Sequence, residues 1–296
     1  IRDKLVTGVQ TCALPILVYK IADNITSPLG MTSVQNYQAV KAGHSALASY
    51  SNLWDIPTPF TAALFSTSQN QALYRADMTR FEALVIQSVS QALEGTSLDL
   101  KSSRVVFILS TTKANVELLG TPIATPAIMH PGESAKRIAK HLGIETEPIV
   151  VCNACVSGLS ALILAERLLT QKVYDYAIVT GADVLSRFVI SGFQSFKSMD
   201  ANPCRPYDIE RLGMNLGEAA ATMILSREKA VPCLITALSE LNEPRYMTPG
   251  GIFDAYEKEI TVWGRADLKD VDDSNLGLNG SPTKIAKASD KVRKGA

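Results

Sequence analysis

"PIVVCNACVSGLSALILAERLL", residues 148–169, is the stretch on which the fold turns. An apolar run of strand length, 147–151, gives way to a helix-like run over 156–171, with Cys152 and Cys155 at the junction. A redox dithiol fits the C-x-x-C spacing at a helix start. Against it, Cys152 continues the strand, where a thiol is expected to act as a small buried hydrophobe. A zinc site needs about four ligands, whereas Cys204 and Cys233 are isolated and the three histidines lie at His44, His130 and His141. Two core cysteines without chemistry form a third reading. The fourth makes Cys155 a nucleophile. A residue between strand and helix faces the C-terminal sheet edge, where ligands of open α/β sheets collect, and the helix's positive end favours a thiolate. Gly158, three residues on, leaves room for close packing or for an acyl chain.

Outward from this junction, strands alternate with helices. Residues 17–24 ("LVYKIADN") read as a strand, 27–30 as a turn and 32–43 as a short helix. In 77–95, Phe81, Leu84, Val85, Val89 and Leu93 recur at helical spacing before Gly95. Residues 103–111 form a compact strand, 132–144 a helix, 174–184 a strand running into a loop, and 215–230 a buried strand-like run. The alternation predicts a layered α/β domain with a largely buried sheet.

The 296 residues are 46% hydrophobic and 20% charged, with 29 basic and 29 acidic side chains. That balance indicates no general attraction to nucleic acid or to an anionic membrane, and no apolar run approaches the ~18 residues of a membrane span. Five cysteines, an odd number, argue against a disulfide framework and for a reducing, cytoplasmic setting. Residues 1–16 are expected to be a non-native leader, because Gly8, Gln10, Thr11 and Pro15 interrupt what loosely imitates a signal peptide. Composition becomes more charged after about residue 244.

Four segments in order resemble β-ketoacyl-[acyl-carrier-protein] synthases. "NACVSGLSALILAERLL" (153–169) is similar to their active-site segment, and "ADNITSPLG" (22–30) with "YQAVKAGHSAL" (37–47) to their opening strand, turn and helix. "YDYAIVTGADVLSRFVISGFQSFKSMD" (174–200) resembles the strand and loop after the nucleophile, and "CRPYDIERLGMNLGEAAATMIL" (204–225) a later arginine-proline-aromatic-aspartate and glycine-glutamate segment. The resemblance spans about 17–242 and implies a thiolase-like αβαβα architecture of two similar halves. Residues 17–232 would be the half bearing the nucleophile, and 233–296 a truncated or diverged start of the second.

By the same resemblance Cys155 is acylated by a carrier-protein or CoA thioester, with its N–H as one of two oxyanion donors. Malonyl-carrier protein then decarboxylates, and its carbanion attacks the acyl-cysteine to give a 3-ketoacyl product. No metal or bound cofactor is implied, since phosphopantetheine belongs to the acyl carrier protein. A homodimer, or a heterodimer with a related subunit, is expected near the nucleophile strand. Phe193 and Phe196 are candidates for an acyl channel or dimer surface. Arg205 and Asp208 are expected to order a loop, and Glu218 to make a buried structural contact.

The family's two decarboxylation histidines come from the second half, yet no histidine follows His141. "LGLNGSPTK" (276–284) would place Asn279, Gly280 and Ser281 at the first of them. The chain is therefore read as a fragment, or alternatively as a non-catalytic partner of the chain-length-factor type. A dithiol oxidoreductase using Cys152 and Cys155 is the third reading.

Overall fold

The computed structural model describes residues 18–206 and 208–227, and the backbone of 234–235. The expectations for 1–16 and for Asn279 lie outside these residues.

In chain order the elements are β1 (Val18–Thr26), α1 (Ser33–Lys41), β2 (Leu47–Tyr50), β3 (Phe60–Ala63), α2 (Thr67–Leu73), α3 (Arg80–Leu93), β4 (Val105–Ser110), α4 (Pro126–Met129), α5 (Pro131–Leu142), β5 (Ile149–Val151), α6 (Ser157–Thr170), β6 (Tyr176–Asp183), α7 (Arg187–Ser195), β7 (Leu216–Gly217), β8 (Ala219–Ser226) and β9 (Leu234–Ile235). Six strands form one sheet in the order β5-β4-β6-β8-β1-β9, and β2, β3 and β7 form a second. β4 runs parallel to both β5 and β6, while β8 is antiparallel to β6 and β1.

The main sheet is covered on both faces, and β4 shows why its sequence is uniformly apolar. Successive side chains of a strand point to opposite faces. Val105, Phe107 and Leu109 enter a core with α3 and α5, and Val106 and Ile108 enter another with α6. Each such burial is worth about 2 kcal/mol. The result is a helix–sheet–helix sandwich, a layered α/β arrangement with a buried sheet.

Helix boundaries follow from local chemistry. α3 starts at a capping box: Thr79 accepts from the Glu82 N–H, and the Glu82 carboxylate accepts from the Thr79 N–H. Glu82 is buried and also accepts from Arg137 Nε at 3.1 Å, which ties α3 to α5. α5 has Pro131 in its first turn and ends at Gly143, whose φ of 76° suits glycine.

Three expectations need correction. The stretch after β6 is not all loop: 187–195 is helical, despite Val189, Ile190 and Gly192, because Ser186 caps it and Val189 and Ile190 are buried. The described part of the run 215–230 holds two strands, β7 and β8, divided at Glu218. Cys152 does not continue the strand, since β5 ends at Val151 and Cys152 is exposed. Beyond these, β2, β3 and α2 lie in a stretch without clear periodicity.

Candidate functional site

Parallel pairing places Val151, Ser110 and Gly181 in one row at the C-terminal ends of β5, β4 and β6. The Thr111 N–H donates to the Val151 carbonyl at 3.2 Å and extends that row. One step beyond, the chain turns sharply. Asn153 has φ −140° and ψ 60°, Ala154 has a positive φ of 44°, and Ala154–Val156 form a short 3-10 turn that runs straight into α6. Cys155 is the middle residue of that turn and is exposed.

Ser157 holds the turn in place. Its hydroxyl accepts from the Asn153 N–H at 2.8 Å and donates to the Ala154 carbonyl at 2.7 Å. Asn153 Nδ2 in turn reaches Ser160 Oγ at 3.1 Å. The sulfur thus stands at the start of a 14-residue helix with no side chain capping it from position 156. The sequence pattern missed Ser157, although serine's habit of bonding nearby backbone at helix starts is its signal. Gly158 needs no room within the chain: a Cβ there would meet nothing within 4 Å among the described residues.

At the same edge Lys113, in the loop after β4, pairs with Asp183 at the end of β6 at 2.9 Å. Thr111 Oγ1 accepts from the N–H groups of Lys113 and Ala114 and fixes that loop.

The other sequence candidates lie apart from the cysteine. Glu218 is fully buried between β7 and β8 and accepts from the N–H groups of Phe65 and Leu185 at 3.0 and 2.9 Å. Arg80 reaches it at 2.5 Å and Glu117 at 2.9 Å. Burial pushes the Glu117 carboxyl above its ordinary range, with Arg80 only partly opposing. Arg205 pairs with Asp208 at 3.6 Å and Glu210 at 3.1 Å on an exposed loop. Phe193 is half-buried and packs on a third core of Ile56, Phe60, Leu185, Val189 and Ile190, whereas Phe196 is 78% exposed.

The histidines stand elsewhere on the surface. His44 follows α1, His141 lies in the last turn of α5, and His130 Nδ1 accepts from the Gly132 N–H. Among the described residues no three His, Cys, Asp or Glu side chains gather as metal ligands. No described helix is long and apolar enough to cross a membrane. A cavity of about 880 Å³, lined by Tyr50, Trp54, Phe65, Arg80, Glu117 and Arg187 among others, does not include Cys155.

Comparison with known proteins places this geometry. The structure is similar to a ketosynthase in complex with its chain length factor from Xenorhabdus doucetiae, with a TM-score of 0.61 and 22% identity over 74% of this chain and 60% of that one. In sequence the chain is 22% identical over 227 residues to 3-oxoacyl-[acyl-carrier-protein] synthase 2 of Vibrio cholerae serotype O1, covering 67% of this chain and 55% of that protein. It is also 53% identical over 68 residues to the electron transfer flavoprotein subunit beta of Clostridium acetobutylicum, 23% of this chain and 26% of that protein. The chain thus spans about a quarter of the flavoprotein subunit and just over half of the synthase. The family model for the N-terminal domain of beta-ketoacyl synthases matches residues 23–230, and through that domain the chain belongs to the beta-ketoacyl synthase family.

Proposed function

We propose that Cys155 is the acyl-accepting nucleophile of a decarboxylative condensing enzyme. The observation that carries this reading is an exposed cysteine in a clamped turn between β5 and α6, inside the family-matched region. In the first half-reaction its sulfur attacks a thioester carbonyl and the carrier thiolate leaves, with the Cys155 N–H as one oxyanion donor. In the second, a malonyl thioester loses carbon dioxide and its carbanion displaces Cys155 to give the 3-ketoacyl product. The acyl carrier protein is the proposed partner and brings its own phosphopantetheine. A reducing cytoplasm is the proposed setting.

A paired subunit is proposed along β5, an edge strand whose outer side is open for pairing among the described residues. That subunit is a second copy or a related chain, in keeping with the complex formed by the structural neighbour. A non-catalytic, chain-length-factor-like role is the second reading. The presented Cys155 weighs against it.

For 233–296, expected to be a truncated or diverged start of the second half, a further reading is proposed. The family match stops at 230, leaving a tail of nearly the length of the 68-residue flavoprotein likeness. We infer that this tail is akin to the flavoprotein segment rather than to a second synthase half. Aligning residues 231–296 alone with that subunit tests it, and identity no better than chance there would sink it.

Intact mass after incubation with an acyl thioester tests the nucleophile. One acyl adduct on the native chain, absent from Cys155→Ala, is expected. No adduct on folded protein moves the assignment to the partner-subunit role.

A further inference from the structure

The cavity of about 880 Å³ is left without a task by the condensing chemistry, since Cys155 does not line it. Its size lies within the roughly 300–1,000 Å³ of small-molecule sites. One wall is aromatic. Tyr50 and Trp54 line it half-buried, and both stack on the buried ring of Phe60, with centroids 5.5 and 6.2 Å away. Trp54 is held there at a φ of 55° and a ψ of 32°, a left-handed backbone that is costly for so bulky a residue. Residues held in such conformations cluster at ligand clamps. The charged wall is uneven. Arg80 is taken up by Glu117 and Glu218, whereas the exposed side chain of Arg187 makes no hydrogen bond or ion pair among the described residues. Arg187 is also the first residue of α7, where a cation opposes the positive end of the helix dipole, so helix stability gives no reason for it. The Tyr50 hydroxyl and the Trp54 Nε1–H likewise find no acceptor among the described residues. Glu117, the one acidic residue of the lining, already accepts from Arg80, and burial pushes its carboxyl toward the neutral form.

We propose that this cavity is a binding site for a fused-ring aromatic carboxylate, with the carboxylate on Arg187 and the rings stacked against Trp54 and Tyr50. Donors without acceptors call for an acceptor-rich anion, and the planar guanidinium matches the two oxygens of a carboxylate. The aromatic wall calls for a flat apolar body, because offset stacking adds to what burial of an alkyl chain would give. A small anion alone would leave the rings unused, and a neutral aromatic would leave the guanidinium unpaired. The site does not depend on Cys155 being the acyl acceptor.

Isothermal titration calorimetry of the full chain with 2-naphthoate tests this, with circular dichroism as the folding control. The comparison ligands are 2-naphthamide, the rings without the charge, and decanoate, the charge without the rings. Saturable binding of one 2-naphthoate per chain is expected, with both comparison ligands weaker. Arg187→Gln should weaken 2-naphthoate about tenfold, and Arg187→Lys should restore part of the loss. Cys155→Ala should leave the affinity unchanged. The chain has two tryptophans, so in Trp263→Phe the remaining indole N–H resonance belongs to Trp54, and it should shift as 2-naphthoate saturates. No saturable binding to the folded native chain overturns the proposal. So does equal affinity for 2-naphthamide or decanoate, binding indifferent to Arg187→Gln, or a Trp54 resonance that stays in place. Binding lost in Cys155→Ala would put the ligand at the nucleophile instead, and overturns it as well.

Discussion

Two charge clusters in this molecule are near mirror images. Around Arg80, one guanidinium serves two carboxylates, Glu117 and Glu218. Around Asp175, one carboxylate serves two guanidinium groups, Arg104 and Arg227, with both Arg104 contacts at 2.9 Å. The first is buried at one carboxylate, since the Glu218 side chain is 0% exposed although Arg80 is 30% exposed, while the Asp175 side chain is 30% exposed. The odd charge decides each titration. Burial with one cation between two anions leaves the Glu117 carboxyl raised. Hydrogen bonds from Arg104 hold the Asp175 carboxyl down at about 2, despite some desolvation, and Arg227 adds to them. Solvent decides what each cluster is worth: exposed pairs contribute little, and breaking a buried one leaves charges and donors stranded.

The largest test of this contrast is Glu218→Ala. It strands Arg80 and the N–H groups of Phe65 and Leu185, and should lower stability by about 3–5 kcal/mol in urea unfolding. An unchanged midpoint would erase the difference between the clusters.

Glu117→Gln separates charge from contact. The Glu117 pKa is raised in the folded chain, so folding holds that proton more tightly than the unfolded chain does. Stability is therefore lost as pH rises above the ordinary glutamate range of about 4.3. The amide still accepts from Arg80 but carries no charge. At neutral pH the variant should match or exceed the native chain, by about 1 kcal/mol at most. A loss as large as that of Glu218→Ala would show that the second carboxylate is needed as an anion.

Asp175→Asn should cost about 1 kcal/mol or less, and the loss should shrink in molar salt. The smallest effect lies in acid. Because the Asp175 pKa is depressed, its contribution is complete above about pH 4 and fades as pH falls toward about 2. Acid titrations of native chain and variant should converge across that window, and parallel curves would place the acid sensitivity elsewhere.

Neither cluster was legible in the sequence, for a plain reason: Arg80 and Glu218 are 138 positions apart. Only the fold brings them together: the sequence led to the expectation of a buried structural contact at Glu218, but not to its partners. What was legible rests on short-range periodicity. α3 has helical spacing and a capping box, β4 is apolar on both faces, and the β5–α6 junction places Cys155. The pattern misled where tertiary packing overrides propensity, as in α7, whose Val189 and Ile190 are helical because they are buried. It also misled at Cys152, read as continuing the strand, because a strand's last residue is not marked by hydrophobicity and an apolar run does not say where pairing stops.

The position of β8 between β6 and β1 has a consequence for how the molecule is made. Among the described residues the first strand pairs with the last long one, so β1 has no long described neighbour in the sheet until 219–226 exists. About 200 residues separate Val18 from Ser226. At ribosomal speeds of ~5–20 residues per second, β1 waits roughly 10–40 s for its partner. During that interval its backbone edge is open to any passing strand. The step that closes the sheet is thus set by the clock of synthesis, and a ribosome that stalls before β8 releases a chain with its first strand still looking for a mate.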